Sequence, residues 1–230
     1  MTLSAEELEA LTLSLKVAGV ATLVGLPIAI ALAYLMARKS FIGKSVLNAL
    51  IHAPLVLPPV IVGYVMLIGL GPNTVIGSAL DQMGLGLAFS WRGAALAALV
   101  MALPLMVRAV RLSFENQNPR LILAARGLGA SPLRAFWTIS LPLALPGVLS
   151  GALMGFARAL GEFGATITFA ANIPGLTQTL PLALFNAVQT PGGDEVAFRL
   201  MMISLFLAFT ALGASEYLAR RMKGKSHAPL

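Results

Sequence analysis

Arg158 and Glu162 are the most chemically suggestive pair in this sequence. They lie one helical turn apart next to long uncharged stretches, so their side chains can form an ion pair. Two roles stay open for it: a structural pair at a membrane surface, and a gate or docking contact.

The side chains that carry most enzyme chemistry are scarce. There is no cysteine, which excludes disulfides and thiolate metal sites, and His52 and His227 are the only histidines. No G-x-S-x-G or H-E-x-x-H pattern is present. Residues 38–45 end like a phosphate-binding loop, but Arg38 stands where that loop needs glycine. We therefore expect no enzyme activity and no metal, nucleotide or other cofactor in this chain.

The composition is that of a chain surrounded by lipid. Of the 230 residues, 58% are hydrophobic and 11% are charged, against about 45–50% and about 25% in soluble domains. A soluble globule of this size would expose too much apolar surface. The net charge of +7 could indicate nucleic-acid binding, but the basic residues flank apolar segments instead of forming one stripe. We expect one all-α integral membrane domain over residues 1–230.

Five apolar segments are close to the length that a membrane-spanning helix needs, about 20 residues. Pro54, Pro58 and Pro59 lie in the second segment and should kink or break it. Such a break survives in a membrane only where protein or a water-filled cavity shields the freed backbone groups. The predicted spans cover residues 13–37, 46–71, 90–112, 139–162 and 197–219.

The stretch between Glu162 and Asp194 is also uncharged, yet it is rich in Pro, Thr, Asn and Gln. That composition favours a re-entrant or extracytoplasmic segment over a lipid-facing helix. With five spans, twelve of the 16 Lys and Arg residues fall on one side, which the positive-inside rule makes cytoplasmic. We predict an N-terminus outside, a cytoplasmic C-terminus, and a cytoplasmic loop at about residues 113–138.

That loop contains a short amphipathic helix. Ala124 and Ala125 permit close approach of another surface, and Gly127 and Gly129 can end the helix. An ordinary loop with a small-residue turn has much the same composition. From the residues alone, a docking helix and an ordinary loop both stay open.

The spacing in this loop resembles the E-A-A-x-x-x-G-(nine residues)-I-x-L-P signature of ABC importer permeases. Leu123 is the one departure, because it replaces the leading acidic residue and removes a charge-assisted contact. The positions that match are Ala124, Ala125, Gly129, Ile139, Leu141 and Pro142.

Other segments resemble the molybdate permeases of that family. Sulfate and thiosulfate permeases share the loop signature but match these segments less well, and tungstate is a further candidate cargo. The segments are residues 52–60, 89–93, 104–109, 161–169, 172–175 and 189–193.

The resemblance implies a homodimer in a bacterial inner membrane, with the pore at its interface. It implies two cytoplasmic ABC ATPase subunits, which hold ATP and Mg²⁺ and bind the loop residues 123–142. It also implies an extracytoplasmic molybdate-binding protein that delivers the anion to residues 73–91 and 170–195. Hydroxyl and amide donors suit a path that must bind an anion weakly. The path or gate candidates are Ser90, Arg158, Glu162, Thr166, Thr168 and Asn172.

Two other classes stay open. A proton- or sodium-coupled transporter would need inverted repeats and buried carboxylates, whereas this sequence has only recurring Leu-Pro-Leu pieces. A membrane scaffold without transport activity would not need the loop signature.

Overall fold

The computed structural model describes residues 3–225, and every regular element in that range is helical. Helix α1 (Ala5–Arg38) begins at a capping box: Ser4 accepts the backbone hydrogen of Glu7, and the Glu7 carboxylate accepts that of Ser4. It ends at Lys39, whose N–H donates to the carbonyl of Leu35. The helix extends the predicted span of residues 13–37 in the N-terminal direction.

The second predicted span is two helices, α2 (Lys44–Val56) and α3 (Pro59–Leu70). The chain bends by 117° between them. Pro58 and Pro59 cause the bend, because neither has an N–H to continue the helical hydrogen bonds. Helix α3 packs against a short helix at Gly164–Phe169, whereas α2 packs against the long helix at Trp91–Glu115. The sequence predicted a break here but not its angle.

Helix α4 (Val75–Gln82) is short. Helix α5 (Trp91–Glu115) lies at the centre of the bundle against α1 and α8 (Leu141–Leu160). Small residues let the neighbours approach it, since Ala94, Ala98 and Ala102 are fully buried. On the facing helix α8, a Cβ added at Gly155 would collide with the side chain of Met106. The glycines of α8 therefore serve packing within one subunit.

The chain then forms α6 (Pro119–Gly127), α7 (Pro132–Ala135), a π-helical turn (Phe136–Ser140) and α8 (Leu141–Leu160). From α7 to α8 the helix is continuous. The widened turn ends at Ser140, two residues before Pro142, which has no N–H to donate to the preceding turn. The helix therefore starts at Pro132, seven residues before the predicted start of this span at residue 139.

The polar stretch after Glu162 forms two short helices, α9 (Gly164–Phe169) and α10 (Leu180–Gln189), joined by an irregular turn. Helix α10 packs against α1 and against the last helix, α11 (Asp194–Lys225). The backbone N–H of Leu180 donates to the hydroxyl of Ser14 at 2.6 Å in a buried contact between α10 and α1. His227 and the side chains of the basic tail at residues 220–225 lie outside the described residues.

Within the described residues, three helical segments are long and apolar enough to cross a membrane: Ala5–Arg38, Trp91–Glu115 and Pro132–Leu160. The bent pair α2–α3 supplies a fourth if it counts as one span. Helix α11, which contains the predicted fifth span, has 32 residues, or about 48 Å of length at ~1.5 Å per residue. The protein is an all-α integral membrane protein.

Candidate coupling loop and membrane path

The predicted docking helix is α6. We call the end of the bundle at which this helix lies the α6 end. Asn118 caps it by accepting the backbone hydrogen of Arg120 at 3.0 Å, and Pro119 occupies the first turn, where no N–H is needed. No residue of α6 is buried. Leu123 and Ala124 are exposed, whereas Ala125 is half-buried. The helix is thus held at its ends and open along its length.

Gly129 ends this helix through its backbone conformation. Its φ is +89°, in the left-handed region that other residues enter at a cost. The N–H of Gly129 donates to the carbonyl of Arg126, and that of Ala130 donates to the carbonyl of Ala125. These two bonds form a Schellman motif. The signature glycine is therefore needed for the turn, whereas Gly127 is simply the last helical residue.

Large apolar side chains in and around this loop form what we call the loop surface. Exposed arginines at 120, 126 and 134 lie among them, which places the loop in water instead of hydrocarbon. Exposed apolar side chains in water suit a protein partner. The loop surface consists of Leu121, Leu123, Leu128, Leu133 and Trp137, of which Leu128 is the most exposed at 90%.

The second half of the signature lies at the base of α8. Ile139 belongs to the π-helical turn, and Leu141 and Pro142 are the first residues of α8. Ile139 and Leu141 are half-buried and Pro142 is exposed. These residues join the loop to a membrane helix; the open surface is on α6.

Sequence reasoning missed the residues that tie this loop to the bundle. The buried side chain of Gln117 donates from Nε2 to the carbonyl of Ser140 at 2.7 Å, and its Oε1 accepts from Arg38 at 2.8 Å. The rings of Tyr34 and Phe136 pack edge to face, with centroids 4.8 Å apart. The apolar periodicity could have identified Tyr34 as a core residue, but no local signal identifies the partners of Gln117.

At the opposite end of α8, Arg158 and Glu162 form the predicted ion pair at 2.6 Å. The Glu162 side chain is 2% exposed, and its other oxygen accepts the backbone hydrogen of Ala165 at 2.8 Å. Glu162 therefore accepts a hydrogen bond from one backbone N–H in the first turn of α9 while it is paired with Arg158. This arrangement favours the structural role for the pair.

The four polar path candidates occupy three different settings. Ser90 caps α5, accepting from the N–H of Gly93 and donating to the carbonyl of Leu87. Thr166 is buried in α9, and Thr168 donates to the carbonyl of Gly164. Asn172 accepts from the side chain of Gln178 in the turn after α9. Thr166 and Thr168 share a short helix, whereas Ser90 and Asn172 lie on separate segments.

The end that carries α4 is held by a second charged cluster. Arg199 on α11 donates to Glu7 on α1 at 2.9 Å and to Glu195 at 2.6 Å. Glu7 is buried and Glu195 is exposed. The cluster fixes the first helix against the last, since the buried carboxylate of Glu7 needs this partner.

These features define a class: a membrane-embedded helical protein that exposes a short helix, α6, outside the apolar bundle and has the loop signature of importer permeases. The chain belongs to the family of binding-protein-dependent transport system inner membrane components, whose model matches residues 25–224. It is a transporter component.

Curated relatives cover nearly the whole chain. It is 53% identical over 220 residues to the molybdenum transport system permease protein ModB of Haemophilus influenzae, covering 95% of this chain and 96% of that protein. Identity to ModB of Escherichia coli K12 is also 53%, over 96% of each chain. The molybdate/tungstate transport system permease protein WtpB of Pyrococcus abyssi is 37% identical, over 86% of this chain and 74% of that protein.

Solved structures confirm the fold. A bacterial ABC transporter involved in the import of the acidic polysaccharide alginate matches with a TM-score of 0.74 at 17% identity, over 95% of this chain and 80% of that chain. The inward-facing MetNI methionine ABC transporter matches with a TM-score of 0.66 at 18% identity, over 94% and 93%. The chain has the fold of an ABC importer permease.

Proposed function

We propose that this chain is the permease subunit of an ABC importer that moves molybdate across a bacterial inner membrane. The observation that carries the proposal is the α6 loop, where the signature residues and the exposed loop surface meet in water. The identity of 53% to molybdenum permeases over 95% of the chain supports molybdate as the cargo. The similarity to a molybdate/tungstate permease supports tungstate as a second cargo.

Energy comes from two ATPase subunits that bind the loop surface. ATP and Mg²⁺ are held by those subunits, and this chain contributes no cofactor and no catalytic residue. Leu123 replaces the acidic residue of the signature, so the contact with the ATPase at that position is apolar. The Leu123 side chain is 66% exposed, and removing this apolar surface from water favours binding.

The assembly contains two copies of this chain with the pore between them. The N-terminus is outside and the C-terminus is cytoplasmic, so that the α6 end faces the cytoplasm. A binding protein delivers the anion to the opposite end, at residues 73–91 and 170–195. Exposed residues on α3, such as Tyr64, Val65 and Ile68, are available to lipid or to the second copy.

Closure of the ATPase subunits displaces α6, and the displacement reaches the membrane helices by two routes. One is the continuous helix from Pro132 to Leu160. The other is Gln117, which is bonded both to Arg38 and to the carbonyl of Ser140. Access to the pore alternates as the bundle responds, while Arg158 and Glu162 hold α8 against α9.

ATP-driven uptake tests the proposal. Proteoliposomes would contain this chain and its ATPase, with the binding protein outside and sulfate or phosphate as competitors. Saturable molybdate uptake that resists excess sulfate is the expected result. Uptake of sulfate in its place would keep the importer and change the cargo. Uptake driven by a proton or sodium gradient without ATP, or no transport by a stable complex, would contradict the proposal and favour a coupled transporter or a scaffold.

A further inference from the structure

An open cavity, lined mostly by residues with polar or charged side chains, lies between α2 and α5 at the α6 end. Its volume is about 280 Å³, far above the ~10–15 Å³ that a single water requires. The cavity lies beside the first three turns of α2, which starts at Lys44, and beside the last two turns of α5, which leads to Gln117 and α6. The lining residues are Asn48, His52, Arg108, Arg111, Leu112 and Glu115.

One arginine of this cavity is fixed in place. Arg111 donates from Nη1 to the side-chain oxygen of Asn48 at 3.0 Å and from Nε to Glu115 at 2.7 Å. His52 is oriented by the same turn of α2, because its Nδ1 donates to the backbone carbonyl of Asn48 at 2.8 Å. The wall formed by α2 and α5 is therefore preorganised.

Arg108 differs from Arg111 in having no hydrogen bond or ion pair within the described residues. It is exposed and lies one helical turn before Leu112 on the face of α5 that lines the cavity. Glu115 neutralises the charge of Arg111. Of the two arginines in the cavity, Arg108 is therefore the one whose positive charge has no carboxylate partner within the described residues. A guanidinium is planar and can donate to two oxygens of a tetrahedral oxyanion at once.

We propose that this cavity is a release-side binding site for the tetrahedral oxyanion cargo, with Arg108 as its main ligand. The inference rests on the proposed import function, which makes the α6 end the side from which the anion leaves. Glu115 competes for Arg111 and keeps the site weak. A transport pathway needs a weak site, because an anion held by two free arginines would be slow to leave.

The same guanidinium could hold the phosphate of an anionic lipid at the membrane surface. The two sources differ in one respect that can be measured. A cargo site depends on molybdate in any bilayer, whereas a lipid site matters only when anionic lipid is present.

The test uses the whole complex with Arg108→Gln, Arg108→Lys and, as matched control, Lys39→Gln, which removes an exposed charge from the same end outside the cavity. We expect Arg108→Gln to lower molybdate uptake roughly tenfold or more, with ATP hydrolysis still stimulated by the binding protein. Arg108→Lys keeps the charge but loses the two-oxygen contact, so it should retain only part of the uptake and lie between Arg108→Gln and the wild type. Lys39→Gln should match the wild type. Binding of labelled molybdate to the nucleotide-free complex, without the binding protein, should fall by a similar factor in Arg108→Gln.

Three outcomes overturn the site. Unchanged uptake and binding in Arg108→Gln would do so, as would an equal loss in Lys39→Gln. A defect seen with phosphatidylglycerol present but absent in pure phosphatidylcholine would assign Arg108 to lipid.

Failure of the wild type to transport any oxyanion would refute the proposed function instead. Sulfate uptake by the wild type that is lost in Arg108→Gln would keep the site and change the cargo.

Discussion

Gln117 donates a buried hydrogen bond of 2.7 Å to the carbonyl of Ser140, across a loop of more than twenty residues. Its other amide atom accepts from Arg38, so one side chain joins the ends of α1, α5 and the π-helical turn. The segment that carries α6 starts directly after Gln117 and returns to the bundle at that turn. We therefore expect a displacement of α6 to reach the bundle in part through these two bonds.

Replacing Gln117 by Leu should uncouple hydrolysis from transport. Ser140 loses its donor and Arg38 loses its acceptor, which costs about 1–3 kcal/mol of stability for a buried group left without a partner. We expect several-fold more ATP hydrolysed per molybdate transported, measured in the same proteoliposomes. Asn116→Ala changes an exposed neighbour and should leave the ratio unaltered. An unchanged ratio in Gln117→Leu would exclude the amide from coupling.

Gly129→Ala should weaken the C-terminal end of α6 although nothing lies within 4 Å of the position of an added Cβ. The cost comes from the φ of +89° and is about 1–2 kcal/mol. Gly127→Ala is the matched control, because Gly127 has equal space and ordinary helical geometry. Affinity for the ATPase, measured by titration in detergent, should fall for Gly129→Ala only. Equal affinities for both variants would argue against a requirement for the left-handed turn.

Leu128→Glu should abolish assembly with the ATPase while the chain still folds. The side chain is 90% exposed, so its replacement disturbs no core contact, yet it puts a charge at the centre of the loop surface. Ile42→Glu is the control at the same end, since Ile42 is fully exposed outside the loop surface. Copurification with the ATPase should be lost in the first variant and kept in the second. Normal copurification of Leu128→Glu would move the docking site elsewhere.

Glu162→Ala should destabilise the chain more than Glu162→Gln. The alanine removes both the partner of Arg158 and the acceptor for Ala165, whereas glutamine keeps an oxygen for Ala165. We expect a loss of about 2–3 kcal/mol for the alanine variant, below the ~3–5 kcal/mol of a fully buried pair because Arg158 is a quarter exposed. Thermal unfolding in nanodiscs measures this.

The control for that prediction is Glu195→Gln, which alters an ion pair whose carboxylate is 80% exposed and should have little effect. Equal stability of Glu162→Ala and Glu195→Gln would contradict a structural role for Glu162. Normal stability with lost uptake would point to a gate.

Local patterns predicted most of the helices and little of their connections. Apolar stretches predicted the long helices, an i, i+4 spacing predicted the pair of Arg158 and Glu162, and the glycine at 129 predicted a helix end. Each of these depends on residues within one or two turns. The boundaries of the five spans in a membrane remain predictions.

No local sequence pattern predicted the contacts between residues that are far apart in the chain. Arg38 and Gln117 are 79 residues apart, and nothing in the sequence near either residue identifies the other. The cavity around Arg108 was missed for the same reason, because it requires the side chains of α2 and α5 to be seen together. The polarity of Thr168 and Asn172 favours them as path residues, but the structure gives both of them local hydrogen bonds.

The 117° elbow between α2 and α3 also indicates which side of the subunit avoids lipid. Pro58 and Pro59 have no hydrogen to give to the carbonyls of Pro54 and Leu55, four residues earlier. The elbow comes after 13 helical residues that start at Lys44, about 20 Å along the axis, and lies at hydrocarbon depth if residues 46–71 span the membrane as predicted. Acyl chains cannot donate hydrogen bonds to those oxygens, so the elbow must face water or another protein surface.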